Sequence, residues 1–550
     1  SMPPAASSTR CSGAPAPHWR VALAALLAGA LVLLAGCGSL PTDVQRPVSR
    51  ALADPAGTPL AQLTAQRRPA GVAALQSGLA LVDTADGAYA SRLALTQSAT
   101  RTLDLQYYAI HSDTSTRELL RAVRQAAARG VRVRILLDDF HATGDDAQVM
   151  RMAFVPGIEM RMFNPVPGGR GSGLLRTLSG LRDFRRTQHR MHNKLFIADN
   201  AWGITGGRNL GEAYFGQGED SNFIDMDILA AGPVVRQMSA SFDQYWNSPL
   251  AYPVESLISR DELLALREAA RAANGNGNGG AQATAAAGQA PPQPAQAPRP
   301  PPDLPPAMDL RALPLTWAPA VVLSDRPAKL TAETDAEGAR EDLVIEGVLQ
   351  LLERARRDVL VVSPYFVPGE QMMGVFRRLT ERGVRVRVLT NSLASNDAPL
   401  AHVGYARYRQ RLLALGVELY EMHALQRGMA RTVVGSSGGG SRASLHAKLL
   451  VVDGRLVAVG SMNLDLRSQL QNSEVTLLIR SRPLAGEATT IVERTLAEDA
   501  WRVEATPQGG LHWHAPPGAD FGDADGEPDA SLGLQLLIQL LGPLAPDEML

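Results

Sequence analysis

The stretch that decides the fold is His446-Ala-Lys448-Leu-Leu-Val-Val-Asp453-Gly-Arg-Leu-Val-Ala-Val-Gly460-Ser461-Met-Asn463. Side chains alternate faces along a strand, so His446 and Lys448, at i and i+2, project together. Asp453-Gly454 between two apolar runs signals a two-residue hairpin. The returning strand brings Ser461 and Asn463 back beside the imidazole and the ammonium. One hairpin thus gathers a titratable ring, a cation, a hydroxyl and an amide.

The same pattern stands earlier as His192, Lys194, Asp199, Gly206 and Asn209, each 254 residues before its counterpart. At about one in twenty per residue, five fixed positions recur by chance about once in three million starts. The chain is therefore a duplicated unit. Gly-Val-Arg-Val-Arg-Ile at Gly130 and Gly-Val-Arg-Val-Arg-Val at Gly383 carry the repeat upstream. Leu103-Asp-Leu-Gln-Tyr-Tyr and Val359-Leu-Val-Val-Ser-Pro-Tyr read as opening strands. Glu118–Arg129 and Met372–Arg382 show helical apolar spacing. Strands alternating with helices predict an α/β fold in two pseudo-symmetric βα halves, with mostly parallel sheets flanked by helices. The active site is expected at the interface of the halves.

At 550 residues the chain predicts two to four units of roughly 100–200 residues. Between the copies, Asn274–Pro306 runs from Asn/Gly-rich through Ala/Gln-rich to nine prolines between Pro291 and Pro306. Such a composition cannot bury a core and reads as a disordered tether. Gly435–Ser441 (GSSGGGS), directly before the second His-Lys pair, reads as a flexible loop or a lid. The expected boundaries are a leader at 1–37, an extension at 38–75, half 1 at 76–272, the tether at 273–308, half 2 at 309–505 and a tail at 506–550.

With 54 Lys+Arg against 55 Asp+Glu the net charge is −1, which disfavours a dedicated nucleic-acid binder. The two cysteines, Cys11 and Cys37, both precede the folded region, so a disulfide framework and a cysteine metal site are excluded there. His512-Trp-His514 has no third ligand nearby in sequence and reads as surface strand or loop; Asp523-Ala-Asp525 reads as solvated linker. His111, His141, His402 and His423 are isolated and read as structural, with His402 a candidate for the cleft wall.

The doubled pattern resembles the signature of the phospholipase D superfamily, HxKxxxxD followed by GSxN, present twice. The resemblance runs from about Gln76 to Arg502 without the tether. Gly206-Gly-Arg-Asn-Leu-Gly-Glu-Ala-Tyr-Phe and Gly460-Ser-Met-Asn-Leu-Asp-Leu-Arg-Ser look most like bacterial cardiolipin synthases of the C type. The first copy has Gly207 in place of the signature serine, which removes a hydroxyl from that half-site.

The resemblance implies phosphatidyl transfer with no cofactor and no metal. Such transfer needs a nucleophile, an acid for the leaving alkoxide and fixed positive charge for the phosphoryl oxygens. By resemblance His192 is the nucleophile and His446 the acid/base, an order the pseudo-symmetry does not itself decide. Lys194, Lys448, Asn209 and Asn463 would hold the phosphoryl oxygens. Each imidazole needs an acceptor on its other nitrogen. Asp225 and Glu474 fit, because Phe223-Ile-Asp225 aligns with Asn472-Ser-Glu474; Asp227 is the weaker rival. Asp199 and Asp453 are read as turn-locking residues.

Val21–Ala35 is an apolar run too short to span a bilayer, and Leu34-Ala-Gly-Cys37 at its end resembles the lipobox of bacterial lipoproteins. Cys37 would then be lipidated, and Gly38 after it favours the outer membrane, on the periplasmic face of a bacterial envelope. Between Arg170 and Lys194, seven basic residues interleave with leucines, and Leu532–Leu544 is a second apolar stretch. The first suits an anionic lipid surface or a solvated helix, the second a membrane interface or docking on the body, and the expected substrate is an anionic phospholipid, phosphatidylglycerol foremost. The alternative function is a periplasmic phosphodiesterase or nuclease on the same site.

Overall fold

In the computed structural model the described residues are 40–167, 184–218, 221–276, 303–331, 343–424 and 442–541. Cys37 and its leader, the interior of the tether, the Gly435–Ser441 loop and most of the basic stretch after Arg170 lie outside them.

The first sheet contains β1 (Ser77–Val82), β2 (Thr102–Tyr107), β3 (Arg132–Asp138), β4 (Ile158–Phe163), β5 (Leu195–Ala198) and β6 (Trp202–Gly206). A short strand, β7 (Ser221–Ile224), leaves it, and β8 (Asp227–Ala231), β9 (Ala251–Pro253) and β10 (Thr316–Ala318) complete it. Its order is β10-β1-β8-β6-β5-β2-β3-β4-β9. The second half supplies β11 (Ala320–Ser324), β12 (Asp358–Val362), β13 (Arg385–Asn391), β14 (Glu418–Met422) and β15 (Arg442–Leu445). Then follow β16 (Leu449–Val452), β17 (Leu456–Gly460), β18 (Val475–Arg480), β19 (Ala500–Ala505) and β20 (Leu511–His514). The second sheet runs β11-β18-β17-β16-β12-β13-β14-β19-β20. Eight strands follow the same order, β1-β8-β6-β5-β2-β3-β4-β9 in the first sheet and β11-β18-β17-β16-β12-β13-β14-β19 in the second, which is the duplication in three dimensions.

The expectation of mostly parallel sheets is corrected. Only β2–β3–β4 and β12–β13–β14 pair in parallel; every other pairing within the two sheets is antiparallel. The βα crossovers that enforce parallel pairing are confined to those stretches, and hairpins supply the rest. The hairpins are also one residue longer than the two-residue reading, since Ala198 pairs with Trp202 and Val452 with Leu456.

Both faces of each sheet are buried, which explains the near-continuous apolar strands. In β16, Leu449 and Val451 enter the core shared by the two halves, while Leu450 and Val452 enter the outer core of the second half. In β5, Leu195 and Ile197 face the shared core, and Phe196 and Ala198 the outer core of the first. The outer cores are covered by amphipathic helices such as Thr114–Ala128, capped by Asp113, whose carboxylate accepts from Thr116 N at 2.9 Å.

The tether boundaries need correction at both ends. Asn274–Asn276 finish the helix Arg260–Asn276, and Leu304, Ala307 and Met308 pack on the first half, with Met308 N donating to Ala90 O.

Candidate active site

Each motif hairpin is locked at its turn. Asp199 and Asp453 both have φ +53°, and their carboxylates collect backbone N–H groups from the loop before the opening strand. Asp199 accepts from Thr100, Arg101 and Thr102, and Asp453 from Arg356, Arg357 and Asp358. They tie hairpin to strand and touch nothing in the cleft.

The other ends of the hairpins meet. Just before His192, Met191 bridges Ser473 in parallel, and His192 N donates to Ser473 O at 3.0 Å. Just before His446, β15 pairs in parallel with β7, ending at Leu445–Ile224, and His446 N donates to Ile224 O at 2.7 Å. Each half therefore lays the segment before its histidine along the segment before the other half's acid. The next residue in each strand completes the pair. His192 Nδ1 lies 3.0 Å from Glu474 Oε2, and His446 Nδ1 lies 2.6 Å from Asp225 Oδ2. With carboxylates as acceptors, both Nδ1 atoms carry the proton and both Nε2 atoms stay available.

His192 and His446, at 6% and 5% exposure, line one cleft of about 680 Å³ together with Asn209 and Asn463. That is within the roughly 300–1,000 Å³ of ordinary small-molecule sites. Lys194 Nζ donates to His192 O at 2.7 Å, and Lys448 Nζ to His446 O at 2.5 Å, so each ammonium folds back beside its own imidazole. Asn209 Oδ1 accepts from Ala109 N, while its amide donates to the Tyr214 hydroxyl. Asn463 Oδ1 is buried with no partner among the described residues.

The half-sites differ in how the acid is held. Ser461 Oγ donates to Glu474 Oε2 at 2.5 Å, and Ser468 Oγ to Oε1 at 2.8 Å. In the first half-site a Cβ on Gly207 would sit 2.2 Å from Asp225 Oδ1. The shorter acid thus occupies the space of the missing serine side chain. Asp227, the weaker rival, is instead paired with Arg92 at 2.9 Å and Arg208 at 3.3 Å.

Burial, then the Lys194 and Lys448 charges, hold His192 well below the usual imidazole range. Burial and Lys448 lower His446 too, but Asp225 pulls against them. Burial raises the Glu474 carboxyl to about 7, partly opposed by Lys194. Burial also opposes charge on Asp225, but His446 and Lys448 outweigh it and hold that carboxyl below its ordinary value. Lys194 is lowered to about 7 by burial and Lys448. Burial brings Lys448 to about 8, with Asp225 and Glu474 opposing. The site thus presents a neutral His192, and a His446 that Asp225 helps to protonate, beside cations that an incoming anion would stabilise.

The family model for the cardiolipin synthase, PLD-like domain matches residues 93–246 and 348–496. The chain belongs to this family. It is 35% identical over 442 residues to cardiolipin synthase C of Escherichia coli (strain K12), covering 80% of this chain and 89% of that protein. A cardiolipin synthase of Geobacillus kaustophilus (strain HTA426) is 25% identical over 406 residues, 74% of this chain and 63% of the relative. The crystal structure of phosphatidylserine synthase from Haemophilus influenzae Rd KW20 superposes with a TM-score of 0.53 at 13% identity. It covers 86% of this chain and 97% of its own, a likeness of fold.

Around this PLD-like centre the cleft wall contains residues that sequence reasoning missed. Tyr108 meets the His192 ring edge-to-face at 5.1 Å, and Tyr214 meets His446 at 5.3 Å. Tyr365, whose hydroxyl donates to Asp397 at 2.8 Å, and Arg467 also line it. A signal existed, since both opening strands run into a tyrosine. His111 and His141, read as structural, stand in the cleft wall, and His111 Nδ1 meets Asp146 Oδ2 at 2.9 Å. His402 is instead a core residue paired with Glu527 at 3.3 Å, and His423 pairs with Asp529 at 3.0 Å.

Proposed function

We propose that this protein makes cardiolipin by transferring a phosphatidyl group between two phosphatidylglycerol molecules through a phosphohistidine. The observation that carries this is the exchanged pairing, His192 on Glu474 and His446 on Asp225, in one cleft. The anionic phosphodiester, together with Asp225, lets His446 take up a second proton on Nε2; His192 Nε2 then attacks phosphorus, forming P–N as the P–O bond to glycerol breaks, and His446 gives that Nε2 proton to the glycerol oxygen. The glycerol hydroxyl of a second lipid then loses its proton to His446 and attacks phosphorus. The P–N bond breaks, and His192 returns neutral.

The assignment of roles follows the electrostatics. His192 is the more strongly neutralised ring, the state a nucleophile needs. His446, beside the carboxylate held in its charged form, keeps more affinity for a proton, the property of an acid/base. Lys194, Lys448, Asn209 and Asn463 oppose the charge that grows on the non-bridging oxygens.

Lipid anchoring through Cys37 and a periplasmic, outer-membrane location belong to this proposal. So does contact with a membrane surface, supported by Leu532, Leu536 and Leu540, exposed at 78%, 59% and 72% along one side of the helix Leu532–Leu541. No described helix is long and apolar enough to cross a membrane.

The test supplies purified protein with phosphatidylglycerol vesicles and follows products by mass spectrometry. Cardiolipin and free glycerol in equal amounts are expected. Phosphatidic acid alone would replace the reading with hydrolysis, and nicking of DNA with no lipid turnover would replace it with a nuclease.

A further inference from the structure

At the edge of the second sheet, far from the motif hairpins in strand order, lies a group of side chains that neither the reaction nor the core uses. Trp513 of β20 points inward at 3% exposure, so His512 and His514 on either side of it share the outer face. On one flank β19 sets Glu504 opposite His512. On the other, an isolated antiparallel bridge joins Trp513 to Ala524, which puts Asp523 and Asp525 on that same outer face. β20 is the surface strand the sequence suggests and both acids are exposed, but this bridge brings to the histidines the third ligand type missing from the local sequence.

The distances have a pattern. Asp523 Oδ2 lies 3.4 Å from His512 Nε2 and 3.6 Å from His514 Nδ1, and the three ligand atoms all fall within 4.8 Å of one another. These are long for hydrogen bonds to a carboxylate. They match the edges of a metal tetrahedron, which for bonds of ~2.0–2.1 Å are about 3.3–3.4 Å long. The opposite nitrogens are already taken by outer carboxylates. His512 Nδ1 is 2.6 Å from Asp525 Oδ1, and His514 Nε2 is 3.2 Å from Glu504 Oε2. Asp523 is oriented as well, since its Oδ1 accepts from Ala515 N at 2.8 Å. Two imidazoles each backed by a carboxylate, with their free nitrogens turned on one further carboxylate oxygen, is the layering that orients metal ligands.

We propose that His512, His514 and Asp523 bind a zinc ion, with Asp525 and Glu504 positioning the two imidazoles. Two nitrogens and one carboxylate leave a fourth position for water. The ion fastens the segment after β20 to the sheet edge. That segment goes on to stack Phe521 on His423 at 4.1 Å and to pair Glu527 with Arg409 at 2.8 Å. Arg409 lies on the helix Pro399–Ala414, whose first turn lines the cleft, so the site is structural and its ion stands apart from the reaction.

The experiment titrates metal-stripped full-length protein with Zn²⁺ against a chromophoric chelator, and records the visible spectrum with Co²⁺. About one zinc per chain is expected, with an intense tetrahedral Co²⁺ band, and both should persist in a His192→Asn/His446→Asn background. His514→Ala/Asp523→Asn should weaken zinc at least 100-fold and abolish the band. Asp525→Asn should weaken it by roughly 10-fold through the outer layer. Lipid turnover by His514→Ala/Asp523→Asn should stay within about twofold of the parent. If that double variant fails to fold, His512→Gln, expected to lose at least 10-fold in affinity, gives the same reading. No uptake by the parent protein would overturn the proposal and leave five side chains joined as ordinary ion pairs. Undiminished uptake by the double variant or by His512→Gln would equally overturn it.

Discussion

His192 and Glu474 are 282 residues apart, one in each half, and join at 3.0 Å in a buried site. Its mirror, His446 with Asp225, spans 221 residues. Neither half can orient its own imidazole. The active centre therefore forms only when the two sheets dock, and the shared apolar core that docks them is also what dries the site.

The two histidines should fail differently. His192→Ala removes the covalent intermediate and should abolish turnover of every substrate. His446→Asn removes the acid, which a glyceryl alkoxide needs and a p-nitrophenolate does not. It should keep measurable rate on a p-nitrophenyl phosphodiester while losing about 10²–10⁴-fold on phosphatidylglycerol. Paired rates on both substrates check this, and intact-protein mass spectrometry looks for the trapped adduct. Equal losses on both substrates would defeat the assignment.

Glu474→Gln should lower kcat by roughly 10²–10⁴-fold with little change in KM, because the loss falls on the state in which His192 carries positive charge. The amide cannot serve the imidazole and both serine hydroxyls of Ser461 and Ser468 at once. Steady-state kinetics on vesicles measures it. A raised KM at unchanged kcat would instead make Glu474 a binding residue.

The pH profile should be a narrow bell. Glu474, raised to about 7 by burial, must be ionised to accept from His192, so kcat/KM rises with pH through about 7. Lys194 and Lys448, lowered to about 7 and about 8, must keep their protons, so kcat/KM falls as pH rises through about 7 and then about 8. A bound phosphodiester favours the protonated lysines, so the alkaline limb of kcat should lie higher than that of kcat/KM. A flat profile between pH 6 and 9, measured with buffers overlapping in range, would contradict these ionisations.

Gly207→Ser restores the family's serine and should nevertheless impair the enzyme. Its Cβ would lie 2.2 Å from Asp225 Oδ1, pushing the carboxylate off His446. Overpacking of this kind costs about 1–3 kcal/mol. Denaturant unfolding should report that loss, and turnover should fall with it. A more active variant would show that the acid has room to move.

Removing residues 277–302 and joining the ends with a short flexible linker should leave turnover and stability near those of the parent, since loop length changes closure entropy only slowly. The cut spares Asn276, the last residue of its helix, and Leu304, which packs on the core of the first half. Circular dichroism and vesicle turnover test it, and loss of the fold would show that the segment packs.

Much of the architecture is legible in the residues because it is local. Strand alternation puts His446 beside Lys448, Asp453-Gly454 turns the chain, and an offset of 254 repeated over five positions declares the duplication. These features depend on neighbours a few residues away, where backbone geometry alone dictates which side chains share a face. Strand sense is not legible, because βα spacing looks the same whether the next strand joins a crossover or a hairpin. The exchange of acids between halves, the entry of His111 and His141 into the cleft wall and the arrival of Asp523 at His512 and His514 were decided by docking. Each depends on which surfaces of separately folded segments bury against one another, and that pairing is set by the summed fit of two apolar faces rather than by any spacing along the chain.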